Sequence, residues 1–274
     1  MARLAEYADA RELTWNLTLR ELRGRYKRSV LGWTWSLLNP LSTVLVFSVV
    51  FKFFLKIEPP VGDPSGLHNF ALFLLCGLVA WNYLSNGMNA SMDSLVSNRN
   101  LIEKVYFPRE ILVVSTVMSL LVSLLIELAV LAVILLIVGN MVIPWIPIAL
   151  VVVAIQTLFV LGIGLLLSVL NVYFRDVKHL MAIVLQALFY SAPIVYPMSL
   201  VPEKADLFGW VIPLRTIYEL NPLVTLVETY RDVLYDLRFP PVGDVAYLLA
   251  WSVGVFAVGL WVFNRLDGRL AEEV

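Results

Sequence analysis

The chain has 274 residues, of which 60% are hydrophobic and only 15% are charged, and its mean hydropathy is +0.83. A soluble domain carries about a quarter charged residues, so this composition excludes an ordinary soluble protein and indicates a polytopic helical membrane protein. The formal net charge of −1 is uninformative, because the charges are sorted by position along the chain. The single cysteine, Cys76, excludes an intrachain disulfide.

The leading segment, residues 1–31, is predicted to hold an amphipathic helix that lies on the membrane surface. Leu13, Leu17 and Leu22 form an apolar stripe at roughly helical spacing, and Arg20 and Arg23 lie among the polar positions. Tryptophan and basic residues around such a stripe suit the headgroup region of a bilayer. The alternative interpretation is a basic flank that only sets topology. No cleavable signal peptide is visible in this segment.

Hydropathy predicts six membrane spans, each long enough to cross a hydrocarbon core of about 30 Å. Lys and Arg are concentrated in the leading segment, in the loops after the second and fourth spans, and in the tail. The positive-inside rule therefore places both termini in the cytoplasm of a multi-pass plasma (inner) membrane protein. The predicted spans are residues 32–54, 70–92, 111–138, 143–170, 180–196 and 245–263.

The long connection between the fifth and sixth spans, residues 197–244, is predicted to lie on the outer side. Residues 207–213 are too few to span the membrane and too apolar for open solvent. Asn221 followed by Pro222 is a helix-start signal, with apolar residues at near-helical spacing after it. We expect two short helices here that dip into the outer leaflet or lie on it, which suggests a structure built over a pore mouth. The alternative is an interfacial loop.

Polar residues inside the predicted spans are few. Asn82, Asn86 and Asn89 recur at helical spacing and share one face, which serves either interhelical hydrogen bonding or the wall of a polar pathway. Glu127 lies near the middle of the third span. It could serve a proton-coupled transporter, but a protonated carboxyl bonded to a neighbouring helix is the favoured interpretation.

Motifs for catalysis, metal ligation or phosphate binding are absent from the sequence, so we expect no cofactor in this chain. ATP-driven transport would then require a second chain to bind the nucleotide. Two loops predicted to be cytoplasmic, residues 97–109 and 171–177, mix charges with apolar side chains. Such exposed apolar faces need a partner surface, which suggests docking onto a cytosolic subunit.

Collinear motifs extend over residues 10–265, and together they resemble one protein family: the permease subunits of ABC-2-type polysaccharide exporters, which include the O-antigen, capsule, teichoic-acid and cell-wall galactan exporters. The first motif is the most specific. The motifs are Arg25-Tyr26-Lys27-x-Ser29-x-Leu31-Gly32-x-x-Trp35-x-x-Leu38-x-Pro40, Asn100-Leu101-Ile102-x-Lys104-x-x-Phe107-Pro108, Asn171-Val172-x-Phe174-Arg175-Asp176-Val177, Ala192-Pro193-Ile194-x-Tyr196-Pro197 and Asn221-Pro222.

The resemblance implies a fold and a function. The fold would be all-α with six spans, an interface helix in residues 1–31, a coupling helix in residues 97–109, and two short external re-entrant helices that form a gate in residues 197–244. The function would be export of a polyprenyl-pyrophosphate-linked glycan by a homodimer. Two cytosolic ATP-binding subunits would hold ATP and Mg, and the chain would bind membrane lipid but no nucleic acid. A permease for a small lipid or drug, or an integral-membrane glycosyl- or acyltransferase, are the alternatives.

Candidate site residues fall into three groups. Lipid pyrophosphate capture at the entrance is assigned to Arg25, Lys27 and Arg28, since pyrophosphate favours clusters of Arg and Lys. Coupling to the ATP-binding subunit is assigned, following the resemblance, to Asn100, Leu101, Ile102, Glu103, Lys104, Phe107, Arg175 and Asp176. A glycan pathway of stacking aromatics, some of which could instead form an interfacial belt, is assigned to Trp33, Trp35, Phe51, Phe54, Phe189, Tyr190 and Tyr196.

Overall fold

The computed structural model describes residues 2–25, 34–54, 60–105, 107–207 and 210–269. Helices dominate this part of the chain. In order they are α1 (Ala2–Arg25), α2 (Thr34–Ser48, continued by a π-helical turn, Val49–Phe54), α3 (Phe70–Ser97), α4 (Arg99–Lys104), α5 (Glu110–Ile137), α6 (Ile146–Tyr173, preceded by the 3-10 turn Ile143–Trp145), α7 (Val177–Ser191), α8 (Leu214–Glu219), α9 (Pro222–Arg231, continued by a π-helical turn, Asp232–Asp236) and α10 (Val242–Leu266).

Within the described residues, four helices are long and apolar enough to cross a membrane: Phe70–Ser97, Glu110–Ile137, Ile143–Tyr173 and Val242–Leu266. They coincide closely with four of the six predicted spans. The first predicted span corresponds to α2 with its π-helical continuation. The fifth corresponds to α7, which has 15 residues.

The end of α7 differs from the prediction. We expected the fifth span to reach residue 196, but α7 ends at Ser191. Ala192 has an extended backbone, with φ of −110° and ψ of 146°. It precedes Pro193, and the residue before a proline is sterically kept out of the helical region.

The segment before α8 also differs from the prediction. The expected helix at residues 207–213 is wrong, because β1 (Ala205–Leu207) pairs antiparallel with β2 (Trp210–Ile212). The aromatic and β-branched residues of β2 favour extended backbone over helix. The two short helices of this region are instead α8 and α9. The prediction for α9 is confirmed, since the Asn221 side chain accepts a hydrogen bond of 3.0 Å from the Leu223 backbone nitrogen.

Helix α3 is the central helix of the bundle, and it packs against α5, α6, α7 and α9. Three buried hydrogen bonds join it to α6, and one of them is donated by the Tyr83 hydroxyl to the Thr157 hydroxyl at 3.1 Å. The Gln156 amide nitrogen donates to the Ala80 carbonyl oxygen at 2.7 Å, and the Asn171 amide nitrogen donates to the Met92 carbonyl oxygen at 2.8 Å. Amide side chains buried in apolar surroundings need such partners, so these bonds fix the register of the two helices.

A second apolar cluster lies at the end of the bundle where α1 packs against α5, here called the α1 end. Leu17 and Leu22 of α1 are buried there against residues that include Ile102, Phe107 and Phe263. The predicted apolar stripe of α1 therefore exists, but much of it faces protein. Trp15, in contrast, is 62% exposed.

The opposite end of the bundle is closed by residues 222–236, here called the α9 cap. The Tyr230 hydroxyl donates to the Gln156 side-chain oxygen at 2.6 Å, and the Arg231 guanidinium donates to the Ile194 carbonyl oxygen at 2.8 Å. The same guanidinium carbon lies 3.7 Å from the ring centre of Phe73. The Asn140 amide nitrogen donates to the Leu234 carbonyl oxygen at 3.0 Å. The α9 cap is therefore a buried part of the core.

Candidate functional site

A polar cleft of about 630 Å³ lies between α1, α2, α3 and α5. It begins at the α1 end, where Glu21 and Asn98 line it, and extends along α3 and α5 to Glu127. Most of its lining side chains carry an amide, hydroxyl or carboxylate group. The polar lining residues are Glu21, Thr43, Asn82, Tyr83, Asn86, Asn89, Asp93, Ser94, Ser97, Asn98, Thr116, Ser123 and Glu127.

The asparagines of α3 share this cleft, as their spacing predicts. Asn82, Asn86 and Asn89 all line it, and Asn86 and Asn89 are exposed. The Asn89 amide nitrogen donates to the Ser85 carbonyl oxygen of its own helix at 2.9 Å. Among the described residues, we find no hydrogen bond from these three asparagines to another helix. Of the two interpretations, the structure therefore supports the wall of a polar pathway.

Sequence reasoning identified Glu127 but missed the rest of the wall that α5 contributes. Thr116, Ser123 and Glu127 recur at i, i+7 and i+11, which places them on one face of the third predicted span. Thr116 and Ser123 also donate to backbone carbonyl oxygens of their own helix, at 2.8 and 3.4 Å. The regular spacing of these polar residues along α5 was the signal from which the sequence could have predicted this part of the wall.

Glu127 lies where the polar cleft meets an apolar crevice. The crevice has a volume of about 30 Å³ and is lined by Glu127 together with apolar residues of α2, α3 and α5, among them Leu41, Val79 and Leu131. The hydrophilic wall thus stops at Glu127, and beyond it the same three helices pack through apolar side chains. Within the part of the chain that the structure describes, no ion pair reaches this carboxylate.

The predicted coupling residues divide into exposed and buried groups at the α1 end. Ile102 and Phe107 are 7% and 8% exposed and belong to the apolar cluster that also holds Leu17, while Leu101 packs partly against it. Ile102 and Phe107 anchor the segment to the bundle, whereas the half-buried Leu101 lies at the edge of this contact. The exposed members are Asn100, Glu103, Lys104, Arg175 and Asp176.

Two segments with exposed side chains lie at this end of the bundle. Helix α4 follows α3 directly, while Arg175 and Asp176 lie between α6 and α7. The Lys178 ammonium lies 2.7 Å from the Asp93 carboxylate, which joins the start of α7 to α3. Phe174, 64% exposed, and Val105, 51% exposed, add apolar area to these segments. We call these two segments, α4 with residues 174–176, the docking face, after the contact that the sequence predicts for them.

The predicted aromatic pathway is only partly assembled. The Phe189 ring centre lies 5.5 Å from that of Trp81 and 5.3 Å from that of Tyr190. The Tyr196 hydroxyl donates to the Tyr190 carbonyl oxygen at 2.7 Å and also contacts the Tyr218 hydroxyl. Trp81 and Tyr218 also belong to this group of aromatic side chains, and the sequence analysis did not identify them. The helix-start signal at Asn221, three residues after Tyr218, did not indicate a role for that tyrosine.

The other predicted aromatics lie elsewhere. Trp35 lines the polar cleft and is 46% exposed, whereas Phe54 is 76% exposed at the end of the π-helical turn. Trp33 and the Phe51 side chain lie outside the described residues.

The predicted pyrophosphate entrance is also largely beyond the described ranges. Arg25 is the last residue of α1, and its side chain, with Lys27 and Arg28, falls outside them. The described lining of the cleft carries Glu21, Asp93 and Glu127 and no basic side chain. Among the described residues, no group of three His, Cys, Asp or Glu side chains could hold a metal ion.

Comparison with known proteins gives a consistent result over nearly the whole chain. The family model for ABC-2 type transporters matches residues 12–235. The O-antigen export system permease protein RfbA of Klebsiella pneumoniae is 30% identical over 260 residues, which cover 93% of this chain and 92% of the relative. The protein of that name from Myxococcus xanthus is 29% identical over 98% of both chains. The polysialic acid transport protein KpsM of Escherichia coli is 26% identical over 92% of both chains.

Proposed function

Because the chain belongs to the ABC-2 type transporter family, we propose that it is the membrane permease subunit of an ATP-driven exporter of a lipid-linked polysaccharide. The observation that carries this proposal is the similarity, over more than nine-tenths of both chains, to permeases named for O-antigen export. A similarity that covers more than nine-tenths of both chains concerns most of the permease and not one shared segment.

The proposal includes an arrangement in the membrane. Six spans cross the plasma membrane, with α2 and α7 as the first and fifth, and both termini and the docking face are cytoplasmic. The concentration of Lys and Arg in the segments at the α1 end supports this orientation. The α9 cap and the β1–β2 hairpin then lie on the outer side as the gate region.

ATP and Mg are held by a separate cytosolic subunit in this proposal. Two copies of that subunit bind a homodimer of the permease. The exposed Asn100, Glu103, Lys104, Arg175 and Asp176 are the contact residues. Ile102 and Phe107 act indirectly, because they hold α4 in place. The mixed charges and exposed apolar side chains of the docking face support this assignment.

The transported molecule in this proposal is a glycan joined to a polyprenyl pyrophosphate. Arg25, Lys27 and Arg28 bind the pyrophosphate, since Arg and Lys pair well with phosphate oxygens. The glycan follows the polar cleft, with Trp35 at its side, and reaches the aromatics near Phe189 at the far end of α7.

Reconstitution tests the proposal. Proteoliposomes that contain this chain and its ATP-binding subunit should move a short polyprenyl-pyrophosphate-linked O-antigen oligosaccharide across the membrane when ATP is added. A complex whose ATP-binding subunit cannot hydrolyse ATP is the control. Movement of a small lipid or drug but not of the glycan would favour the alternative function, an ABC-2 permease for small lipids or drugs. ATP hydrolysis by the purified chain alone would contradict the proposal.

A further inference from the structure

We propose that the ion pair between Lys178 and Asp93 is a clasp, a contact that opens and closes, and that it transmits movement of the docking face to the polar cleft. The inference rests on the proposed export function and adds to it a positioning residue, Lys178. Its evidence is the place of the pair in the fold, with one member on the cleft wall and the other next to the docking face.

The Asp93 side of the pair belongs to the cleft. Asp93 lies on α3 towards the α1 end, and its side chain lines the cleft. Its two carboxylate oxygens lie 3.0 and 2.7 Å from the Lys178 ammonium nitrogen, so one cation engages both of them. Opening of the pair leaves a carboxylate without this partner on the wall and removes a link between α3 and α7. The state of the pair therefore sets the charge of the wall at this depth.

The Lys178 side of the pair belongs to α7, a helix that is lightly packed within one copy of the chain. Lys178 is the second residue of α7, and of the 15 residues of this helix only Leu185 is buried. Towards the other end of α7, the Phe189 ring centre lies 5.5 Å from that of Trp81 on α3. Few buried contacts are typical of elements that move at low cost in free energy. A contact at the start of α7 can therefore decide where that end of the helix lies.

The pair bridges the two segments of the docking face. Asp93 lies six residues before Arg99, where α4 begins, and Lys178 lies two residues after Asp176. A subunit that binds both segments and changes their separation therefore acts on this pair through short lengths of chain.

The pair is also weak enough to open. The Asp93 and Lys178 side chains are 48% and 55% exposed, and ion pairs in such positions contribute little because water and salt screen them. A strong buried pair would resist the movement of a docked partner, whereas this one opens when the partner moves.

Thiol labelling inside the cleft tests the clasp without requiring transport. Ala90→Cys places a reporter thiol on the wall three residues before Asp93, and the natural Cys76 is buried and contributes little background. The complex with the ATP-binding subunit is treated with an uncharged maleimide, with and without a non-hydrolysable ATP analogue. In this background Lys178→Gln removes the cation, and Asp93→Asn breaks the same pair from the other side. Copurification of the ATP-binding subunit is measured first, because Lys178 lies outside the docking face and its loss should leave assembly intact.

We expect the ATP analogue to speed the labelling of the reporter with an intact pair by about 1.5- to 5-fold, the range by which an exposed ion pair shifts an equilibrium. Lys178→Gln should label at the faster rate without the analogue and show no further response. The charge swap, Lys178→Asp combined with Asp93→Lys, should restore both the slow rate and the response. Salt at about 1 M should speed the labelling with an intact pair but not in Lys178→Gln, because salt screens exposed charges.

Arg215→Gln is the control. It breaks another exposed ion pair, with Glu219 at 3.2 Å, at the opposite end of the bundle. It should change neither the rate of labelling nor the response to the analogue.

The inference is overturned if the intact pair gives no response to the analogue, if the response persists in Lys178→Gln, or if the charge swap behaves as Lys178→Gln does. Where Lys178→Gln does not assemble with its partner, Asp93→Asn decides the question by the same readings. The proteoliposome assay is read separately on the wild-type complex. Export together with unchanged labelling in Lys178→Gln rejects the clasp and leaves the proposed function in place, whereas absence of export rejects the proposed function itself.

Discussion

The Tyr230 hydroxyl donates a hydrogen bond of 2.6 Å to the side-chain oxygen of Gln156, and the Gln156 amide nitrogen donates in turn to the Ala80 carbonyl oxygen at 2.7 Å. This buried chain of two bonds joins α9 to α6 and α3. The short helix that follows Asn221 is therefore fixed to the two helices at the centre of the bundle. Release of α9 from the bundle would break the buried bond between Tyr230 and Gln156.

Removal of one hydroxyl group tests the strength of this link. Tyr230→Phe leaves the buried side-chain oxygen of Gln156 without its donor, which typically costs about 1–3 kcal/mol. We expect a lower midpoint of thermal unfolding for the detergent-solubilised variant. Tyr247→Phe is the matched control, because the Tyr247 hydroxyl also donates a 2.6 Å bond, to the Leu220 carbonyl oxygen, but at an exposed position. Equal midpoints for the two variants would contradict the prediction.

Helices α6 and α10 cross at two glycines, and this crossing gives a second prediction. A Cβ atom on Gly259 would lie 2.0 Å from the Gly162 carbonyl oxygen, and one on Gly162 would lie 2.5 Å from the Phe256 backbone. Backbone cannot move aside as a flexible side chain does. We therefore expect Gly259→Ala to lower the free energy of unfolding by about 1–3 kcal/mol, the usual cost of overpacking.

Gly254→Ala is the control for this substitution. Gly254 lies on α10 as well, but a Cβ atom there meets nothing within 4 Å. Alanine is the better helix former, so this variant should be as stable as the wild type or slightly more stable. Thermal unfolding in detergent compares the two variants. Similar destabilisation by both would show that the cost lies in the helix itself and not in the crossing.

Local signals in the sequence predicted much of this fold. Long apolar runs marked the four long helices, and the Asn221–Pro222 pair marked the start of α9. Short apolar runs were ambiguous, because periodicity alone does not separate a short strand from a short helix. The β1–β2 hairpin was missed for this reason.

The candidate site was predictable only in part. Helical spacing showed that Asn82, Asn86 and Asn89 share a face, but the identity of the surface opposite them depends on how α2 and α5 pack. Equally, the sequence of the coupling segment shows an apolar face, yet it cannot say whether Ile102 faces a partner or the core. Both questions concern tertiary contacts between residues far apart in the chain.

A pH effect is expected from the α9 cap. Burial raises the pKa of Asp236 to about 6, and Asp232 acts in the same direction, whereas Arg238, with a nitrogen 3.5 Å from the carboxylate, opposes the shift. The folded state thus holds the proton more tightly than the unfolded state, so this group stabilises the fold at low pH. That contribution is lost as the pH rises through 6.

Asp236→Asn removes the charge and therefore the pH dependence. We expect this variant to exceed the wild type in stability at pH 7 by on the order of 1–2 kcal/mol, after allowance for partial exposure of the carboxylate, and to differ little at pH 4. Thermal unfolding at both pH values measures the effect. Glu203→Gln, at an exposed position, is the control and should change neither midpoint. A variant less stable than the wild type at pH 7 would show that the ion pair with Arg238 outweighs burial.

The docking face gives the last prediction. Glu103 is exposed and Leu101 partly so, and the Glu103 carboxylate lies 2.7 Å from Arg99 one helical turn earlier. Loss of an apolar anchor and a charge from a docking surface typically costs about 1–3 kcal/mol of binding energy. We expect Leu101→Ala combined with Glu103→Ala to reduce recovery of the ATP-binding subunit about 5-fold to more than 100-fold, with insertion into the membrane intact. Copurification of the two subunits measures the loss.

Two comparisons separate docking from folding in this experiment. Glu219→Ala breaks an equivalent pair, with Arg215 four residues earlier at 3.2 Å, at the opposite end of the bundle, and should leave recovery of the partner unchanged. Ile102→Ala instead empties a buried position and should lower the thermal midpoint by an amount that corresponds to about 2–5 kcal/mol. Loss of partner recovery in the double variant, with a wild-type thermal midpoint, assigns α4 to docking. A lowered midpoint in the double variant would mean that Leu101 serves the core, as Ile102 does, and would remove the evidence for a contact.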